Sequence, residues 1–159
     1  MNDQFVAYLH ECFQGEVIGE AFGVALAEAA QDPVHRQKWR FMEQLERETK
    51  GRIRAALEAL GESVEDDPEK RAEGKSFGET FAKLPWSEAM DKLKPVLEKY
   101  VRYFEEHEKT APPDGLALAQ HLTRHERALL EFTVCEIEGQ PDNSVEPIER
   151  LLDNPPLAA

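Results

Sequence analysis

Apolar residues recur every three to four positions through four long stretches of the chain, the period of an amphipathic helix. In the first, Phe5, Leu9, Cys12, Gly23 and Ala27 fall within about 40° of one line when 100° is counted per residue. The second carries His35, Trp39, Met42, Ile53, Leu57 and Leu60 on such a line. The third carries Trp86, Met90, Leu93, Leu97, Val101 and Phe104, and the fourth Leu118, His121, Leu129 and Phe132. No stretch shows the two-residue alternation of a half-buried strand.

Capping and breaking residues set the limits. The first helix is expected over 3–31 with Asp3 as N-cap, and the second over 33–60, with Asp32 as N-cap, Pro33 in the first turn and Gly61 as the stop. A third helix is expected over 86–110, although Pro95 falls inside it and predicts either a kink or a start only near Lys94. The fourth spans 114–138 up to Gly139, and Ser144 is positioned to cap a short final helix over 145–153. Residues 62–85 are polar without a usable period, so they read as an excursion with one short turn of helix at most. The pattern predicts one all-α domain over 1–159, a four-helix bundle whose second and third helices are joined by a long crossover.

Composition narrows the partners. The 159 residues carry a net charge of −13, which argues against nucleic acid and favours cations as small ligands. No apolar run reaches the length of a membrane span, and the opening "MNDQFVAYLHECF" lacks the basic and apolar regions of a signal peptide. A soluble, cytoplasmic protein with no membrane partner is expected. Cys12 and Cys135 lie far apart in separate helical patterns, which is no disulfide framework; each reads as a small buried hydrophobe.

The chemistry lies in what interrupts the apolar lines. Glu16 occupies the middle of the first line, with Glu20 at its edge; Glu46 lies on the second and His125 on the fourth. Each is near the middle of its helix, and antiparallel packing can bring them to one depth. A carboxylate buried alone is costly. Two carboxylates and an imidazole share an obvious partner, a divalent metal, with iron, manganese or zinc suiting the donor set. Gly15, Gly19 and Gly23 would leave room around Glu16 or allow close helix approach.

Two plainer arrangements also fit. The three groups could hydrogen-bond one another with His125 protonated, or a rotated stripe could leave Glu16 or Glu46 at the rim. His121 and His125 have a spacing able to bind zinc, whereas His10, His35 and His107 read as surface residues. The basic run Arg36, Lys38, Arg40, Arg47, Lys50, Arg52 and Arg54 reads as a solvated face. The third helix has no acid in its line before Glu108; Glu98 and Glu105 sit at its flank.

The stretches "GEVIGEAFGVALA", "LERETKGRI" and "TRHERALLEF", with the long crossover, resemble the ferritin-like superfamily, rubrerythrin-type proteins above all. The family's di-iron site takes a Glu from each of two helices and a Glu-x-x-His from each of the other two. The resemblance makes Glu16 the first-helix ligand, Glu46 the bridging Glu of the second helix and His125 the fourth-helix histidine. Thr49 stands where the second helix should supply histidine, and Leu122 where the fourth should supply glutamate. The third helix lacks the family's carboxylate, and two cysteines cannot make a rubredoxin-like module.

Three matching ligands of six imply a ferritin-like metal-binding protein with a reduced site, mononuclear or an incomplete di-metal centre, and an oxidoreductase role with iron. Glu20 and His121 are the candidate additional ligands, and Thr49 a supporting group. The alternative is a metal-free degenerate bundle that serves as an interaction or structural module, with Trp86, Tyr100, Tyr103 and Phe104 as its contact face. A heme held by His121 or His125 would be a third reading, but nothing else marks such a pocket. A homodimer is the assembly expected for a bundle of this size.

Overall fold

The computed structural model describes residues 1–153, so the last residues of the expected domain, 154–159, lie outside the described part. Six helices follow one another: α1 (Asp3–Ala29), α2 (Pro33–Ala59), α3 (Pro68–Phe81), α4 (Trp86–Thr110), α5 (Leu116–Ile137) and α6 (Glu146–Glu149). The architecture is an all-α bundle in which α1 pairs with α2 and α4 with α5.

Local chemistry accounts for the ends. Asp32 caps α2 by accepting from the backbone amides of Val34 and His35, with Pro33 in the first turn. Gly61 and Gly139 follow α2 and α5 with φ of 80° and 74°, the left-handed conformation that ends a helix at little cost only for glycine. The cap of α1 is Asn2 rather than Asp3: its side chain accepts from the amide of Phe5, and Asp3 is already the first helical residue. Ser144 does not cap α6; its hydroxyl donates to the Pro141 carbonyl. The helix there is also shorter than the expected 145–153. Pro95 neither delays nor breaks α4. It sits on the exposed face, where water can take the carbonyl its missing N–H leaves free.

Two apolar clusters fill the bundle. One gathers Leu26, Trp39, Met42, Leu45, Met90, Leu93, Leu97, Leu129 and Phe132. The other gathers Phe5, Leu9, Phe13, Val17, Ile53, Leu57, Phe104 and Leu122. Their membership gives the direction of each helix. Chain α1 runs from the second cluster to the first, α2 back, α4 in the same sense as α2, and α5 back again. Because α2 and α4 are parallel, their connection has to return along the length of the bundle.

That connection holds more structure than its polar sequence announces. It contains the fourteen-residue helix α3, which packs along α1. Gly74 and Gly78 make the approach possible. A Cβ on Gly74 would stand 2.9 Å from both Cα and carbonyl carbon of Ile18, and nearer still to its oxygen; one on Gly78 would stand 2.8 Å from the Phe22 oxygen. Since the contact is backbone on backbone, no hydrophobic period was required to encode it. The start of the crossover is clipped to α1 by Gln14, whose amide donates to the Glu65 carbonyl at 2.9 Å and accepts from the Asp67 amide at 3.1 Å.

The basic run of α2 is not uniformly solvated. Lys38 and Lys50 are buried. Lys38 pairs with Glu136 of α5, whose other oxygen accepts from the Trp86 indole at 2.8 Å. Lys50 pairs with Glu20 of α1 and, at 2.8 Å, with Asp66 of the crossover. A buried ammonium needs a carboxylate partner, and an acid-rich chain supplies one to each.

Candidate metal centre

Between the two apolar clusters the core turns polar. Glu16 of α1, Glu46 of α2 and His125 of α5 are all buried and each presents a ligand atom within 4.8 Å of the other two. His125 Nδ1 lies 3.7 Å from Glu16 Oε2, and its Nε2 lies 3.5 Å from Glu46 Oε1. The inward lines read from the sequence therefore converge on one point. The helix α4 adds no ligand atom to this cluster. Glu105 is held outside by Arg127, which donates to it at 2.7 Å.

The other sequence candidates are placed elsewhere. Glu20 is occupied by Lys50 and does not join the triad. His121 is buried one turn before His125, and its Nε2 is 3.1 Å from the Thr49 hydroxyl rather than at the triad. Thr49, fully buried, also lies 2.9 Å from His125 Nδ1. His35 and His107, expected at the surface, are half-buried and stacked on Trp86 and Tyr8, with ring centroids 3.8 and 4.4 Å apart. Cys12 and Cys135 are free thiols.

Glu126 is a group the sequence did not point to. It follows His125 directly and so lies about 100° round the helix from the inward line. Its Oε2 is nevertheless enclosed without a hydrogen-bond partner. Its charge acts on Glu16 and Cys12 of α1 and on His125. The only sequence signal was adjacency to a candidate ligand.

Electrostatics follow from this crowding. Burial pushes Glu16 well above the ordinary carboxylate range, and the neighbouring Glu46 charge pushes it further. Burial likewise raises Glu126 to about 7. For His125 burial works against the charged form, but Glu46 and Glu126 outweigh it and hold the imidazolium up. Burial and the nearby Arg52 lower His121 to about 4, so it is neutral at physiological pH. No lysine or arginine is hydrogen-bonded to Glu16, Glu46 or Glu126 among the described residues; the buried lysines are engaged by other acids.

Two unsatisfied atoms test whether a cation fits. Glu16 Oε2 and His125 Nε2 are buried and have no hydrogen-bond partner. Such orphans are uncommon in folded proteins, and each costs about 1–3 kcal/mol. A buried oxygen and a buried nitrogen in a site lined by carboxylates present, once their protons leave, the lone pairs that a divalent ion requires. Space is reserved as well. A Cβ on Gly19 would lie 2.9 Å from Glu46 Oε1 and closer still to Oε2, so the Glu46 carboxyl occupies the room left by this glycine. At Gly23 a Cβ would meet the Glu43 backbone at 3.0 Å, which marks the close crossing of α1 and α2.

No protein-family model matches the chain, and neither a curated protein nor a solved structure does. The functional reading therefore rests on the site itself. No described helix is long and apolar enough to cross a membrane.

Proposed function

We propose that the protein is a ferritin-like metal-binding protein that holds a single divalent cation, iron foremost with manganese or zinc as substitutes, through Glu16, Glu46 and His125. The observation that carries this reading is the pair of buried atoms without a hydrogen-bond partner, Glu16 Oε2 and His125 Nε2, beside Glu46 in a layer between two apolar clusters. A cation would take the place of the protons that now offset the crowded carboxylates, so binding should release protons. Parallel α2 and α4 with a long crossover support the ferritin-like assignment.

Three protein donors leave coordination positions for water or a small substrate, and redox-active iron there would supply one-electron chemistry. On this reading the protein is an oxidoreductase. Its residues bind the ion, exclude bulk water through the flanking apolar clusters, and keep Glu46 seated over Gly19.

The test is elemental analysis of protein purified without chelator or affinity-tag metal, beside Glu46→Gln. Near-stoichiometric metal in the wild type that disappears in the variant supports the centre. No metal, even after anaerobic loading with ferrous iron, refutes it. The second reading, a metal-free module or homodimer, is favoured by Tyr100 and Tyr103 of the expected face, exposed on α4 beside Val96; Trp86 packs against the core instead, and Phe104 is buried in it. This reading predicts a self-association or partner contact that a charge at Tyr100 abolishes.

A further inference from the structure

Thr49 stands three residues after Glu46, where the resemblance calls for a histidine ligand. It does something else here. Its hydroxyl is completely buried and touches two imidazoles, His125 Nδ1 at 2.9 Å and His121 Nε2 at 3.1 Å. A threonine hydroxyl has one hydrogen to donate, and a neutral imidazole has one N–H and one lone pair. The hydroxyl oxygen can also accept two bonds at once, so three arrangements satisfy the two contacts. Either His125 donates to Thr49 and Thr49 to His121, or both bonds are reversed, or both imidazoles donate to the Thr49 oxygen.

A cation at the triad excludes the reversed arrangement. His125 Nε2 is the ring nitrogen with no hydrogen-bond partner, and it lies on the Glu46 side of the ring. To ligate there it must carry a lone pair, so the proton sits on Nδ1. Nδ1 then donates to the Thr49 oxygen, and the Thr49 hydroxyl keeps its hydrogen for Nε2 of a neutral His121 protonated on Nδ1. We propose that Thr49 and His121 form a positioning relay that fixes the orientation and tautomer of His125 so that its Nε2 lone pair faces the cation. The inference rests on the metal-binding reading above. It makes His121 a support of the centre rather than a ligand of it, and it gives Thr49 a role that a bare loss of histidine would not.

Groups that orient a ligating histidine through its second nitrogen typically affect metal affinity 10–100-fold. The relay is tested by titrating the full chain with Mn²⁺ in wild type, Thr49→Val, Thr49→Ser and His121→Phe. Valine keeps the shape of threonine without its hydroxyl, and serine restores the hydroxyl. Thr49→Val and His121→Phe are expected to bind Mn²⁺ at least about tenfold more weakly, and Thr49→Ser to stay within about threefold of wild type. A second measurement needs no variant. In zinc-loaded wild type, ¹⁵N NMR of His125 should show a protonated Nδ1 and a metal-bound Nε2.

Unchanged Mn²⁺ affinity in Thr49→Val overturns the relay while leaving the metal centre standing. So does a His125 ring bound through Nδ1, and this result holds even if Thr49→Val fails to fold. A wild type that binds neither Mn²⁺ nor zinc, nor ferrous iron under anaerobic loading, overturns the metal reading itself, and the relay with it.

Discussion

Replacing Gly19 by alanine separates ligand placement from fold stability. The added methyl would stand 2.9 Å from Glu46 Oε1 and nearer to Oε2 and the carboxyl carbon. Non-bonded heavy atoms settle at about 3.5 Å or beyond, so the carboxyl must retreat by on the order of 1 Å. It is the far end of a flexible side chain, and a change of rotamer accommodates the methyl at small cost. Alanine in place of a mid-helix glycine returns up to about 1 kcal/mol of helix propensity. The metal-free variant should therefore be as stable as wild type or slightly more so. The centre should suffer, because a site held to about 0.5 Å does not tolerate a ligand moved by twice that.

Gly15→Ala is the matched control. It lies in the same helix, a turn away, and its Cβ would meet nothing within 4 Å. Both variants should gain in thermal melts with chelator present, and only Gly19→Ala should lose cation binding, by about a hundredfold in an isothermal titration with Mn²⁺. Wild-type affinity and stoichiometry in Gly19→Ala would refute the argument that the glycine seats Glu46. Equal losses in both variants would refute it too, since the effect would then belong to the helix and not to the contact.

Two further substitutions probe the fold and its charges. Gly74→Ala should destabilise the protein by about 1–3 kcal/mol in urea unfolding, because its Cβ would press on the Ile18 backbone, which cannot turn aside; Gly51→Ala, in open space, should not. In metal-free protein, burial holds Glu126 near 7 instead of 4.5, so the folded state binds its proton more tightly than the unfolded chain. That contribution is complete below pH 4.5 and is lost as pH rises through about 7, a difference of about 3 kcal/mol at most. Glu126→Gln should thus gain on wild type as pH is raised from 4.5 to 8, and a pH-independent difference would sink the assignment. His121, lowered by burial to about 4, acts in the opposite sense: its contribution is present above 6.5 and fades as pH falls towards 4. The wild-type profile should therefore be flatter than that of either His121→Phe or Glu126→Gln.

The helical period, the caps and the breaks determined most of the secondary structure without any tertiary information. The 3.6-residue repeat is a property of the backbone, so a carboxylate on an apolar line declares its direction in the sequence itself. That is why Glu16, Glu46 and His125 were legible. Distances between helices are not encoded by a period, and three things waited on the fold. Helix α3 was invisible because glycines, not hydrophobic side chains, make its contact with α1. Lys38 and Lys50 looked like solvated cations because a lysine's partner, here Glu136 or Glu20, lies on another helix. Thr49 read as a missing ligand until packing set its hydroxyl between two imidazoles, and nothing marked Glu126 until neighbouring helices closed over its oxygen. Direction is local, set by the turn of a single helix; proximity belongs to the assembled bundle.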